Sequence, residues 1–201
     1  MKIVIIKYNA GNIRSVDFAL QRLGVTALIT DNQEEIRSAD RVIFPGVGEA
    51  STTMSYLVAH KLNSLICDLK QPVLGICLGL QLMCTHSEEG NTKCLGIFPE
   101  MVRKFIKNSD DSASFKIPHM GWNSVTELKS PLFKQIGEDD YFYFVHSFYA
   151  TTGIDTAATC NYLIPFSAAL NRNNFYATQF HPEKSGPTGA KLLENFINLK
   201  V

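Results

Sequence analysis

The chain lacks a charge of one sign. Its 19 Lys+Arg balance 19 Asp+Glu for a formal net charge of zero, which argues against a general polyanion-binding role. It also lacks long apolar runs. Ile3–Ile6 and residues 72–74 are far too short to cross a bilayer, and Lys7 ends the first of them before a signal-peptide core forms. A cytoplasmic protein is expected. The five cysteines, Cys67, Cys77, Cys84, Cys94 and Cys160, contain no C-x-x-C pair, so neither a zinc site nor a dithiol redox motif is indicated and the thiols are expected reduced. No phosphate-binding G-x-x-x-x-G-K-[ST] occurs; Gly186-Pro187-Thr188-Gly189-Ala190-Lys191 only mimics its composition. Internal repeats and low-complexity tracts are absent too. What remains is 201 residues at 45% hydrophobic content, enough to bury a core without staples and consistent with one domain over 1–201.

The first half alternates short apolar runs with helical patterns. Strands are expected at 2–8, 25–30, 41–44 and 72–76, with helices between them. The first helix carries Ile13, Val16, Leu20 and Leu23 on one face and stops at Gly24. Asp31 with Glu34 reads as a capping box for a short second helix, and 51–69 as a helical stretch broken near His60-Lys61. A short helix is expected over 78–85. Continuously apolar strands joined by helices predict a doubly wound, mostly parallel sheet with helices on both faces. From 96 to 180 β-type runs dominate, at 96–105, 116–128, 141–152, 158–164 and 175–180, around a helical turn at 131–136 and a polar loop at 108–114. A last helix is expected over 188–200. The fold class is α/β with additional β structure in the C-terminal half.

Cys77 sits in Gly75-Ile76-Cys77-Leu78-Gly79, at the joint of an apolar strand and a helix. A cysteine between packing glycines is commonly structural, but this strand–turn–helix context is the cysteine form of a nucleophile elbow. The sharp turn lifts the thiol over the sheet, the helix N-terminus favours its anion, and the Leu78 amide is placed for an oxyanion. Of the five histidines, His60 and His86 stand among polar neighbours. His181 differs: it follows a strand in Gln179-Phe180-His181-Pro182-Glu183, where Glu183, two residues on, can accept its N–H and fix its tautomer. Pro45-Gly46-Val47-Gly48 follows another strand and nearly matches a dinucleotide fingerprint, with Asp68 further on. Its third glycine is missing and it belongs to the third strand, so it reads as a loop whose amides complete the oxyanion site. In the aromatic run 141–149, the adjacent polar pair His146-Ser147 is hard to explain as sheet core.

These strings resemble the class I, triad-type glutamine amidotransferases. Pro118-His119-Met120-Gly121-Trp122-Asn123 and Tyr143-Phe144-Val145-His146-Ser147-Phe148-Tyr149 narrow the resemblance to glutaminase subunits that serve histidine biosynthesis. It implies a single glutamine amidotransferase type 1 domain of flavodoxin-like fold and hydrolysis of L-glutamine through a cysteinyl thioester, with no cofactor and no metal. It further implies a heterodimer in which ammonia passes to a (β/α)8-barrel cyclase subunit, HisF. Cys77 would be nucleophile, His181 base and Glu183 its orienter. Val47, Gly48 and Leu78 would supply oxyanion amides, and Gln81, His146, Ser147 and Phe148 match positions that hold the substrate's amino-acid end. Asn12, Met120, Trp122 and Asn123 match positions turned toward the partner. The usual Asp-Tyr-Gly-x-Gly-Asn-Leu reads Lys7-Tyr8-Asn9-Ala10-Gly11-Asn12-Ile13 here, a departure that touches the partner loop and not the triad.

Overall fold

The computed structural model describes residues 1–8, 12–107 and 115–200. The turn expected at 9–11 and the loop expected at 108–114 lie outside the described residues. In chain order the first half contains β1 (Ile3–Ile6), α1 (Ile13–Arg22), β2 (Ala27–Thr30), α2 (Gln33–Arg37), β3 (Arg41–Phe44), α3 (Ala50–Ala59), α4 (Leu62–Asp68), β4 (Val73–Ile76) and α5 (Leu78–Met83). The second half adds β5 (His86–Ser87), β6 (Thr92–Lys93), β7 (Met101–Lys104), β8 (His119–Ser124), β9 (Tyr141–His146), β10 (Phe148–Ala150), β11 (Thr156–Tyr162), β12 (Ile164–Arg172), β13 (Phe175–Thr178) and α6 (Gly186–Ile197).

Seven strands form the main sheet in the order β11-β12-β13-β4-β3-β1-β2. Neighbouring pairs from β13 through β2 run parallel, and β11 and β12 are antiparallel additions. Both faces are covered, which is why β1 is apolar throughout rather than alternating. Ile3 and Ile5 pack with α1 and α6 on one face, while Val4 and Ile6 pack with α3, α4 and α5 on the other. The local signals for α1 hold: Val16, Ala19 and Leu20 are buried, and Gly24 leaves the helix at φ +74. The expected break in the long helix falls at Lys61, held at φ 56 between α3 and α4.

Three expectations differ from what is observed. Asn32, not Asp31, caps α2: its side chain accepts the amides of Glu34 and Glu35 at 2.9 and 3.1 Å. The run at 141–152 is two strands. β9 pairs with β8 and β10 with β7, so the chain changes sheets at Ser147. β12 has no counterpart in the reading above, because Ile164-Pro165-Phe166-Ser167-Ala168-Ala169-Leu170-Asn171-Arg172 shows neither alternation nor a bulky apolar run. Its centre is buried on both faces through small residues that fit close to β11 and β13.

The close approach of α5 to β3 depends on Gly79: a Cβ there would be driven into the carbonyl oxygen of Phe44. Backbone cannot yield as a side-chain tip can. Gly79→Ala is therefore expected to lower the urea-unfolding free energy by about 3 kcal/mol. A variant with an unchanged midpoint would contradict this packing.

Candidate active site

Four adjacent parallel strands, β13, β4, β3 and β1, deliver the pieces of the site from their C-terminal ends, the customary position in an open α/β sheet. After β4, Cys77 takes φ 53, ψ −107, a conformation L-residues rarely adopt. Two backbone bonds hold it there: its N–H donates to the Thr178 carbonyl at 2.7 Å, and its own carbonyl accepts from Gln81 at 3.2 Å. Gly46, after β3, packs so tightly on the elbow that a Cβ would stand 2.6 Å from the Gly79 nitrogen. The N-terminal strand contributes too. Buried Tyr8 donates its hydroxyl proton to the Pro45 carbonyl at the root of the glycine loop. Burial, reinforced by the charge of Cys77, raises the pKa of this phenol.

After β13, His181 donates its backbone N–H to the Tyr143 carbonyl at 2.9 Å, and residues Pro182–Lys184 form a 3₁₀ turn that brings Glu183 back to the ring. Nδ1 and Glu183 Oε1 are 2.8 Å apart, both side chains buried. Nε2 completes no hydrogen bond of its own and is left for the Cys77 sulfur, which acts directly on the ring. Burial alone would lower this imidazole's pKa. The charge of Cys77 close to the ring, and the bond and charge of Glu183, outweigh that and raise it to about 10. Asn12 was expected at the partner surface. In the fold its amide donates to Glu183 Oε1 at 2.7 Å, and it makes no side-chain cap although it holds the N-cap position of α1 at φ 70.

A cavity of about 380 Å³ opens over the elbow, lined by Val47, Gly48, Cys77, Leu78, Gln81, Glu89, Pro118, Val145, His146, Ser147, Phe148 and His181. All seven residues expected to bind substrate thus gather around Cys77 and His181, with Glu183 behind the ring. His60 and His86 are not among the lining residues; His60 instead stacks on Tyr56 at 3.9 Å. Glu89 was missed, because Ser87-Glu88-Glu89 reads as a solvated run. In the fold Glu89 accepts the Ala50 amide at 2.8 Å, and burial raises its pKa. No local pattern in the sequence marks it, since its position depends on the contact between the loop before β6 and α3.

Of the amides expected to meet an oxyanion, that of Leu78 is already engaged. The Leu78 N–H donates to the Gly46 carbonyl at 3.4 Å. A trans peptide points its C=O and N–H in opposite directions, so with its carbonyl turned to Leu78 the Gly46–Val47 unit aims the Val47 N–H away. On the other wall, His146 and His119 form a buried pair. The Phe148 carbonyl can only accept, so His146 Nδ1–H donates to it at 2.7 Å and His146 Nε2 accepts from His119 Nδ1–H at 3.0 Å. That arrangement needs the His146 ring neutral, and burial disfavours charge on both rings. Accordingly, burial pushes His146 down to about 3 and His119 to about 4.

These values set a pH dependence. On acidification from 6.5 the unfolded chain takes up protons that the two neutral rings refuse, so stability falls toward pH 4. His146 alone contributes up to about 1.4 kcal/mol per pH unit to that loss. His181 acts in the opposite sense: its contribution is complete below 6.5 and is lost as pH rises through about 10. Urea midpoints measured against pH should show the acid loss, and His119→Phe, which keeps the stacking on Phe144 and Tyr162, should make it shallower. An equally steep profile in that variant would contradict the assignment.

Met120 and Trp122 are 67% and 55% exposed on the β8–β9 ribbon. Asn123 is half-buried and donates to the Asn161 carbonyl at 3.4 Å. Among the described residues no helix is long and apolar enough to cross a membrane.

Comparison with known proteins agrees with this geometry. The family model "Glutamine amidotransferase class-I" matches residues 4–199. A Bacteroides thetaiotaomicron protein named imidazole glycerol phosphate synthase subunit HisH is 57% identical over 199 residues, covering 99% of this chain and 100% of the relative. The Pasteurella multocida protein of the same name is 48% identical, covering 98% of each chain. A solved glutamine amidotransferase superposes with a TM-score of 0.73 at 17% identity, covering 96% of each chain, which speaks for the fold alone. The chain belongs to the class-I glutamine amidotransferases, among the HisH subunits of imidazole glycerol phosphate synthase.

Proposed function

We propose that this chain is the glutaminase subunit of a cytoplasmic imidazole glycerol phosphate synthase, splitting L-glutamine on Cys77 and handing the ammonia to a (β/α)8-barrel cyclase subunit, HisF. The observation that carries the reading is that Cys77 and His181 line one cavity, with Glu183 behind the His181 ring, and that the same cavity is lined by a carboxylate, Glu89, that can take an amino acid's ammonium group. The names of the relatives supply the synthase.

The chemistry follows from the charges. Cys77 sulfur attacks the side-chain amide carbon, and the carbonyl electrons move onto oxygen. As the intermediate collapses, His181 gives its Nε2 proton to the departing nitrogen, releasing ammonia and leaving a thioester. Water then attacks that carbon with His181 taking a proton. The C–S bond breaks, glutamate leaves and the sulfur recovers its electron pair. Glu183 keeps the ring in one tautomer throughout, through the 2.8 Å contact at Nδ1. Catalysis also requires the Gly46–Val47 peptide to turn over. The Leu78 amide then loses its present acceptor and the Val47 N–H joins it as a second donor. An oxyanion donor contributes roughly 10²–10³ in rate, so the arrangement described here is a slow one.

The partner surface is the face beside the triad. Trp122 packs edge-on against Tyr143 at 6.0 Å, and Lys184, next to Glu183, lies 5.9 Å over the same ring. A barrel docked on Met120 and Trp122 therefore presses on residues one step from the catalytic carboxylate.

Two experiments test the reading. Glutamine turnover reconstituted with HisF should be lost in Cys77→Ala by several orders of magnitude, while free ammonia still supports cyclisation; normal glutamine turnover in that variant would sink the proposal. Glu89→Gln should raise KM for glutamine about tenfold or more with kcat changed much less, because it removes a charge that meets the substrate's ammonium and not the reacting carbon. A KM left unchanged would move ammonium recognition elsewhere.

A further inference from the structure

Gln179 is completely buried, at 0% exposure, and none of the steps above uses it. We propose that Gln179 is a further catalytic residue of this site: its side-chain N–H donates to the Cys77 sulfur and holds it as the anion. The inference rests on Cys77 being the nucleophile. Gln179 Nε2 stands 3.7 Å from Sγ, within the range of an N–H···S contact.

The orientation of that amide is dictated by its neighbours. Gln81 Nε2 lies 2.9 Å from the Phe148 carbonyl oxygen, which can only accept. The end of Gln81 that meets Phe148 is therefore its NH₂ group. The same nitrogen lies 3.0 Å from the Gln179 side chain, and a donor there requires Gln179 to present its oxygen. The opposite end of the Gln179 amide, the one facing sulfur, is then necessarily the nitrogen. A backbone bond from the Gln179 N–H to the Ala168 carbonyl at 2.8 Å anchors the residue to β12. The Phe148 carbonyl thus fixes the orientation of the Gln81 amide, which fixes that of Gln179, whose N–H is left to donate to Cys77.

Among the described residues the sulfur also meets the Val145 carbonyl oxygen at 4.0 Å, which accepts a proton from a thiol but repels a thiolate. Gln179 supplies the opposite preference from a fully buried position. It serves the sulfur twice, before the attack and again when the C–S bond of the thioester breaks and the electron pair returns to sulfur. In the neutral thioester between these moments its hold is weak, so the contact favours the charged states selectively. Gln81 acts through Gln179 as a positioning residue, in addition to lining the cavity.

The test uses Gln179→Met, of similar length without a donor, and Gln179→Glu, which keeps the shape and turns an acceptor toward sulfur. Iodoacetamide alkylation of Cys77 is followed against pH by mass spectrometry of its peptide, with exposed Cys67 as the internal reference. Both variants should carry the alkylation profile of Cys77 to higher pH by about one unit or more and leave that of Cys67 in place. In the complex, kcat for glutamine should fall about 10–100-fold with KM little changed. Circular dichroism separates these effects from misfolding, and Gln179→Glu, being nearly isosteric, guards against loss of the Met variant. Unmoved alkylation profiles in folded variants overturn the proposal. The alkylation readout needs neither glutamine nor the partner. A shifted profile in a chain that fails to hydrolyse glutamine would therefore uphold Gln179 and reject the glutaminase reading.

Discussion

A proton held on a buried imidazole is the constraint around which this molecule is arranged. Desolvation works against the charged ring of His181, and removing a charge from water costs several kcal/mol unless partners surround it. Here the partners are a sulfur on one side and a carboxylate on the other. The carboxylate is itself held: Glu183 Oε1 receives both the ring N–H and the Asn12 amide. Nearby imidazoles cannot share the charge, and they do not. Burial disfavours charge on both His146 and His119, and His146 must also keep Nε2 unprotonated to accept from His119 while its Nδ1–H donates to Phe148. Three histidines lie near one cavity, and their surroundings drive one up and two down. Such divergence is expected where acid–base roles must be kept apart.

The sheet makes that pairing possible. Loops leaving β13, β4, β3 and β1 emerge side by side, so four segments far apart in the chain meet without any long excursion. Each brings one function: the imidazole and Gln179, the sulfur, the glycine loop, and the side chains of Tyr8 and Asn12. The spacing is tight enough that glycine is obligatory where the elbow helix crosses β3 and where the loop after β3 crosses the elbow. Close packing has a second consequence. The glycine loop, fixed at its root by Tyr8 and resting its carbonyl on Leu78, closes the oxyanion position by means of one weak bond of 3.4 Å. A long hydrogen bond and a nearby glycine at φ +135, Gly48, leave that peptide free to turn at modest cost.

Local chemistry made much of this legible in advance. The apolar strands, the Gly24 stop, the break at Lys61, the Cys77 elbow and the His181-Pro182-Glu183 pair each depend on residues within a few positions of one another. Their physics is therefore present in a short window of sequence. The failures share the opposite property. β12 is built from small residues whose fitness shows only against β11 and β13. The run through Tyr141–His146 and Phe148–Ala150 divides because two different sheets claim its halves. Glu89 carries a polar side chain that looks solvated until the α3 amide arrives beside it, and no neighbour of Asn12 in the chain announces its bond to Glu183.

The sequence by itself determined the strand and helix periodicity, the elbow at Cys77 and the neighbours His181 and Glu183 proposed as its base and the base's carboxylate, because each is encoded in residue type and near-neighbour spacing. Only the tertiary structure decided the electrical state of the site: which imidazole is charged, which amides are already occupied, which way the Gln179 amide points. Those are set by burial and by hydrogen-bond partners up to 171 positions away, as between Asn12 and Glu183. Neither burial nor a distant partner can be read from a window of chain, since both come into being only when the segments pack.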